Sequence, residues 1–145
     1  MRRIFVDANV LIAGAHSRSG ASNAVLQMAE IGKFEIMVCN QVLDEAERNL
    51  RKKLPGALPN FAAQMARLRL TIIPDPSSEE TAPWENVVAP KDAPILCAAI
   101  QGDVARLTTL DTRHFTPEVA AQSGLAIQTP ADLVEDIRRL VTINL

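Results

Sequence analysis

Acidic residues occur at three places in this chain where a buried element would meet a loop or helix end, and at a fourth on the side of a helical segment. Asp7 directly follows the apolar run Ile4-Phe5-Val6, and Asp111 directly follows Leu107 to Leu110. Asp92 sits in Pro90-Lys91-Asp92-Ala93-Pro94, just ahead of the apolar run Ile95 to Ile100. Glu45 lies on a segment of helical spacing that begins near Asn40 and Gln41. Carboxylates collected from separate elements are the hard oxygen ligands that suit magnesium and manganese. Clustered without an ion they repel one another and raise each other's pKa, a penalty that a bound dication offsets. The chemistry such a cluster could do is hydrolysis of a phosphodiester bond. One ion would chiefly activate the attacking water, and a second, about 4 Å away, would stabilise the leaving oxygen. The spacing leaves the number of ions open.

Each residue also has a plain structural reading. Asp7, Asp92 and Asp111 could cap helix starts, where Asp is strongly favoured. Glu45 shares a helix side with Arg48, Asn49 and Lys52, and a solvated Glu45 to Arg48 pair would contribute a few tenths of a kcal/mol. Only the combination makes the functional reading attractive.

The elements that must position these groups are visible as alternating patterns. Short apolar runs of strand composition recur at Ile4 to Val6, Phe34 to Val38, Leu70 to Ile73, Leu107 to Leu110 and Ala126 to Gln128. Amphipathic stripes follow a period near 3.6 at Leu43, Ala46, Leu50 and Leu54, at Leu58, Phe61, Met65 and Leu68, and at Leu133, Ile137 and Leu140. Continuously apolar strands that alternate with helices predict a parallel sheet covered on both faces, a three-layer α/β/α sandwich of about five strands. Pro74 to Pro90 carries four of the nine prolines and is expected to be a loop without a regular element of any length. Gly32 and Gly124 fall where helices should stop. Asp7 and Asp111, each at the carboxyl end of a strand, would then share the rim where open α/β sheets bind ligands.

Composition limits the alternatives. With 145 residues and 48% apolar content, one domain over 1–145 is the expectation. Fifteen basic and seventeen acidic residues leave a net charge of -2, which argues against a broad basic surface for nucleic acid. Any such binding must rely on metal and local patches, such as Arg48, Arg51, Lys52 and Lys53, of which Arg48 and Lys52 are candidate RNA backbone contacts. No apolar run approaches the length of a membrane span, roughly 20 residues, and Asp7 interrupts the N-terminal run before a signal core could form. A soluble, cytoplasmic protein without membrane contact is expected. Cys39 and Cys97 lack metal-ligand or redox spacing and read as buried packing.

Four blocks in order resemble the PIN domain, a family found in VapC-like toxin ribonucleases of toxin-antitoxin pairs and in other nucleases. They are Phe5-Val6-Asp7-Ala8-Asn9-Val10-Leu11-Ile12, Val42-Leu43-Asp44-Glu45, Pro90-Lys91-Asp92-Ala93-Pro94-Ile95-Leu96 and Leu107-Thr108-Thr109-Leu110-Asp111. The tail Ile127-Gln128-Thr129-Pro130-Ala131-Asp132-Leu133 is similar to the family's last strand and helix start. The resemblance implies a magnesium- or manganese-dependent endoribonuclease acting on single-stranded RNA, with Asp7, Glu45, Asp92 and Asp111 as its catalytic metal site. It also implies polar helpers at Asn9 and Thr109, although Asn9 could equally cap a helix and Thr109 could be an ordinary strand residue. A small antitoxin partner is implied, and a homodimer is possible. Many relatives carry another acidic residue two positions after the fourth carboxylate. Here Arg113 stands there, which weakens a second metal position and leaves Arg113 as an accessory candidate for binding phosphate. His114, beside Phe115, is read as a surface or packing residue.

Competing readings fare less well. A haloacid-dehalogenase-like phosphatase needs a second Asp where Asn9 stands, and a receiver domain needs adjacent acidic residues beside its first strand. A non-catalytic PIN-like module that binds RNA or protein, or a PIN nuclease of RNA processing, remains the alternative. Clustered negative charge gains nothing on a pure polyanion-binding surface.

Overall fold

The computed structural model describes residues 2–143, so Met1, Asn144 and Leu145 of the expected domain lie outside the described residues. Five strands form one parallel sheet in the order β3-β2-β1-β4-β5. They are β1 (Arg3–Val6), β2 (Glu35–Cys39), β3 (Thr71–Ile73), β4 (Arg106–Thr108) and β5 (Ile127–Gln128). All five apolar runs became strands with ends displaced by one or two residues: β1 gains Arg3, β2 slides on by one, β3 and β5 each lose their first residue, and β4 gains Arg106 but stops at Thr108.

Between them run the helices α1 (Ala8–His16), α2 (Ala21–Glu30), α3 (Asn40–Lys53), α4 (Leu58–Leu68), α5 (Ser78–Thr81), α6 (Ala93–Gln101), α7 (Pro117–Ser123) and α8 (Pro130–Ile143). One set packs mutually, α1 against α2, α3 and α4, with α2 against α8, whereas α6 packs against α5 and β2. This is the expected α/β/α arrangement. The apolar sequence of α6 is explained by its burial, since Ala93 and Ile95 to Ala99 are all inside. The stripe on α3 is rotated slightly from the expected one, with Val42, Ala46 and Leu50 inside. Exposure of Leu140 departs from the stripe expected on α8. Burying Phe5, Leu11, Leu26, Leu50, Leu96 and Leu107, at about 1.5 to 3 kcal/mol each, supplies much of the driving force.

Turn chemistry follows the sequence at Gly32 and Gly124, both at positive φ, where a Cβ would be strained. The proline-rich stretch differs from expectation, because it holds the single-turn α5 and a short 3-10 segment, Ala82–Asn86. Ser77 and Glu80 form a capping box that makes so short a turn possible.

Strand order creates the feature that matters for function. From β1 the chain moves outward through β2 to β3, then crosses back to place β4 on the other side of β1. Loops leaving β1 and β4 therefore diverge and open a crevice at the carboxyl edge. Asp7 follows β1, and Asp111 lies beyond the end of β4.

Candidate metal centre

Asp7 caps α1, its Oδ1 accepting from the Ala8 backbone N–H at 2.8 Å. The capping reading is therefore correct, yet it leaves the other oxygen committed elsewhere. Thr109 donates its hydroxyl to Asp7 Oδ2 at 2.8 Å, and Asn9 Nδ2 reaches the same oxygen at 3.4 Å. Asn9 also donates to Thr109 Oγ1 and accepts from the Leu110 N–H. It ties the start of α1 to the loop after β4 and is not the helix cap. Thr109, only 1% exposed, also accepts from the Asp111 N–H at 3.1 Å. These two polar helpers align the residues flanking the crevice.

Asp111 is held by its own loop. Its Oδ1 accepts from the backbone N–H groups of Arg113 and His114, both at 3.1 Å. Its Oδ2 lies 2.7 Å from His114 Nδ1. The reading of His114 as mere surface or packing thus misses its contact with a site carboxylate. A histidine three positions after an acid in a tight loop was the available signal, since the turn folds the ring back. Arg113 contributes its backbone here, while its exposed side chain borders a neighbouring cavity with His114 and Val88.

Asp92 stands at the start of α6, where Pro94 occupies the first turn, but its side chain makes no capping bond. Its Oδ2 is buried without a hydrogen-bond partner and lies 3.9 Å from His114 Nδ1. Glu45, on the first turns of α3, faces the same space, and among the described residues it forms no ion pair with Arg48. Asp7, Glu45, Asp92 and Asp111 all line one cavity of about 400 Å³, with Asn9, Arg48 and Lys91 among its other walls. Donor atoms of Asp92, Asp111 and His114 lie within 4.8 Å of one another, a closer group than the four carboxylates make together. Lys52 borders a different hollow with Asp44 and Arg51, so Arg48 is the expected basic residue that reaches the carboxylates, and Lys91 is the one sequence reasoning passed over.

Electrostatics separate the carboxyls. Burial pushes Asp7 up to about 6, helped by the nearby charges of Glu45 and Asp92 and opposed by the hydrogen bonds from Thr109 and Ala8. Asp92 is also raised, chiefly by burial, against the pull of Lys91 and His114. For Asp111 burial acts upward, but the hydrogen bonds and charge of His114 outweigh it and leave the group below the ordinary range.

The residues fit a divalent cation. An unpartnered buried oxygen on Asp92 is costly, roughly 1 to 3 kcal/mol or more for a charged group, unless something electropositive satisfies it. Four carboxyls from separate segments, two of them grouped with an imidazole nitrogen, offer the donors.

A family model described as PIN domain matches residues 3–113. The chain belongs to the PIN-domain family. Among solved structures, this PIN domain is similar to PAE2754 from Pyrobaculum aerophilum, with a TM-score of 0.64 at 18% identity over 92% of this chain and 88% of that one. It is also similar to VapBC2 from Rickettsia felis bound to a DNA fragment from their promoter, with a TM-score of 0.63 at 16% identity over 88% and 98%. FitAB bound to the IR36 DNA fragment gives a TM-score of 0.51 at 17% identity over 88% and 94%. At these identities the likeness carries the fold. A comparison with curated proteins found no match. No helix among the described residues is long and apolar enough to cross a membrane.

Proposed function

We propose that this PIN domain is a magnesium- or manganese-dependent endoribonuclease that hydrolyses phosphodiester bonds in single-stranded RNA. The observation that carries the reading is the single cavity lined by Asp7, Glu45, Asp92 and Asp111, from four separate segments, with one buried oxygen of Asp92 left without a hydrogen-bond partner. Asp92 and Asp111, with Glu45 and Asp7 beside them, would hold the ion. When bound, it supplies Lewis acidity, polarising a phosphate and acidifying a water.

The chain's own residues account for the rest. Helices α1, α3 and α6 begin at this cavity, and their positive ends favour the carboxylates and an incoming phosphate alike. Arg48 and Lys91 stand at its wall, where their charges can seat the phosphate backbone. Thr109 and Asn9 keep Asp7 from turning away. Trp84 is the chain's single tryptophan, tyrosine is absent, and Phe5, Phe34, Phe61 and Phe115 are buried. Base stacking is therefore a minor part of recognition.

The reading extends to a toxin restrained by a small antitoxin protein, supported by the fold shared with VapBC2 and FitAB, both solved on DNA. Purified protein should cut a panel of single-stranded RNAs with magnesium or manganese, and Asp7→Asn should abolish cutting. No cleavage in the panel, together with no metal binding by calorimetry, sinks the nuclease reading. Expression without growth arrest, beside no small DNA-binding neighbour gene, sinks the toxin reading and leaves a PIN nuclease of RNA processing.

A further inference from the structure

We infer that His114 is a ligand of the metal centre, its Nδ1 joining the carboxylates of Asp92 and Asp111 around one ion, and that it biases the site toward manganese over magnesium. This rests on the metal-centre reading above. Ligands about 2.1 to 2.2 Å from one ion stand about 3.0 Å apart when adjacent on an octahedron and about 4.3 Å apart when opposite. His114 Nδ1 is 2.7 Å from Asp111 Oδ2 and 3.9 Å from Asp92 Oδ2, so modest adjustment admits all three donors to one coordination sphere.

The arrangement around Asp111 supports the same role. Two backbone N–H groups occupy Oδ1, which orients Oδ2 toward the imidazole and Asp92. The ring is partly exposed and can shift toward an ion without disturbing the core. Carboxylate oxygens serve magnesium and manganese alike, whereas an imidazole nitrogen favours a transition metal. His16, the other histidine, closes the far end of α1, roughly 13 Å along the helix from Asp7, and provides an internal control.

Metal-free full-length chain carrying isotopically labelled histidine would be titrated with manganese and studied by pulsed electron paramagnetic resonance. A hyperfine coupling to a directly bonded histidine nitrogen is expected in the wild type and in His16→Ala, and not in His114→Ala or His114→Gln. Manganese affinity should fall about ten-fold or more in the His114 variants, with a smaller loss for magnesium. Should those variants fold poorly by circular dichroism, the wild-type coupling and its survival in His16→Ala still decide the matter. Manganese that binds and supports RNA cleavage without nitrogen coupling overturns this inference alone. Absence of any manganese binding also overturns this inference, and absence of magnesium binding and RNA cleavage besides overturns the ribonuclease reading with it.

Discussion

Replacing Asp7 by asparagine should change the pH dependence of stability in a direction that the site geometry determines. The Asp7 carboxyl, ordinarily near 3.8, is held at about 6 by burial in the folded chain. The folded state therefore keeps a proton that the unfolded chain releases, and stability falls as pH rises from the ordinary value through about 6. Integrated over the roughly two pH units between those values, the ionised group costs the metal-free fold about 3 kcal/mol. Asparagine at this position can still accept from the Ala8 N–H. Its amide nitrogen, however, meets Thr109 Oγ1, whose lone pairs already accept from Asp111 and Asn9, a conflict worth about 1 to 3 kcal/mol. Asp7→Asn should thus be less stable than wild type near pH 4 and gain on it by about 2 to 3 kcal/mol between roughly pH 4 and pH 7. Urea denaturation of both proteins in chelator across that range measures the difference, in which unrelated titrating groups cancel. A difference that stays flat with pH refutes the buried-carboxyl argument. Magnesium at about one hundred times its Kd should stabilise the wild type by about 2.7 kcal/mol and the variant much less.

Three further outcomes are expected. Thr109→Val removes a bond that lowers the Asp7 pKa and strands two donors, so the acid limb of the cleavage profile should move to higher pH, with about 1 to 3 kcal/mol lost in denaturation; Thr109→Ser should largely restore both. A Cβ added at Gly14 would come within 2.4 Å of Leu26 Cδ1 where α1 crosses α2, and Leu26 is fully buried, so Gly14→Ala should cost about 1 to 3 kcal/mol by thermal melting. Arg48→Ala should weaken RNA binding and reduce the salt slope by about 0.7, one single-strand phosphate contact, whereas Lys52→Ala, outside the carboxylate cavity, should leave the slope unchanged in filter binding.

The order of elements was legible because burial on both faces demands apolar strands, and helices must show a stripe of period near 3.6. Ile4 to Val6 and Leu107 to Leu110 announced strands whose ends carry acids, and the block at Asp92 announced a buried helix start. Burial of Cys39 and Cys97 was equally readable, since neither had a partner pattern. The α5 turn was not, because a capping box of Ser77 and Glu80 overrode a proline-rich composition. His114 was misread for a related reason. Its meaning depends on the loop curling so that Nδ1 returns to Asp111, and loop curvature leaves little periodic trace.

Residue types and spacing by themselves determined that Asp7 and Asp111 would follow strands, Asp92 would stand near a helix start and Glu45 would lie on a helix side in a parallel α/β chain, because strand and helix periodicities are local properties. Only the tertiary structure decided that β1 and β4 are neighbours, which brings Asp7, Thr109 and Asp111 together across a hundred residues. It also decided that Asp92 keeps a bare buried oxygen, that Arg48 rather than Lys52 faces the carboxylates, and that His114 belongs with them. Hydrogen bonds, burial and charge act through space at a few ångströms, and no pattern along the chain encodes those distances directly.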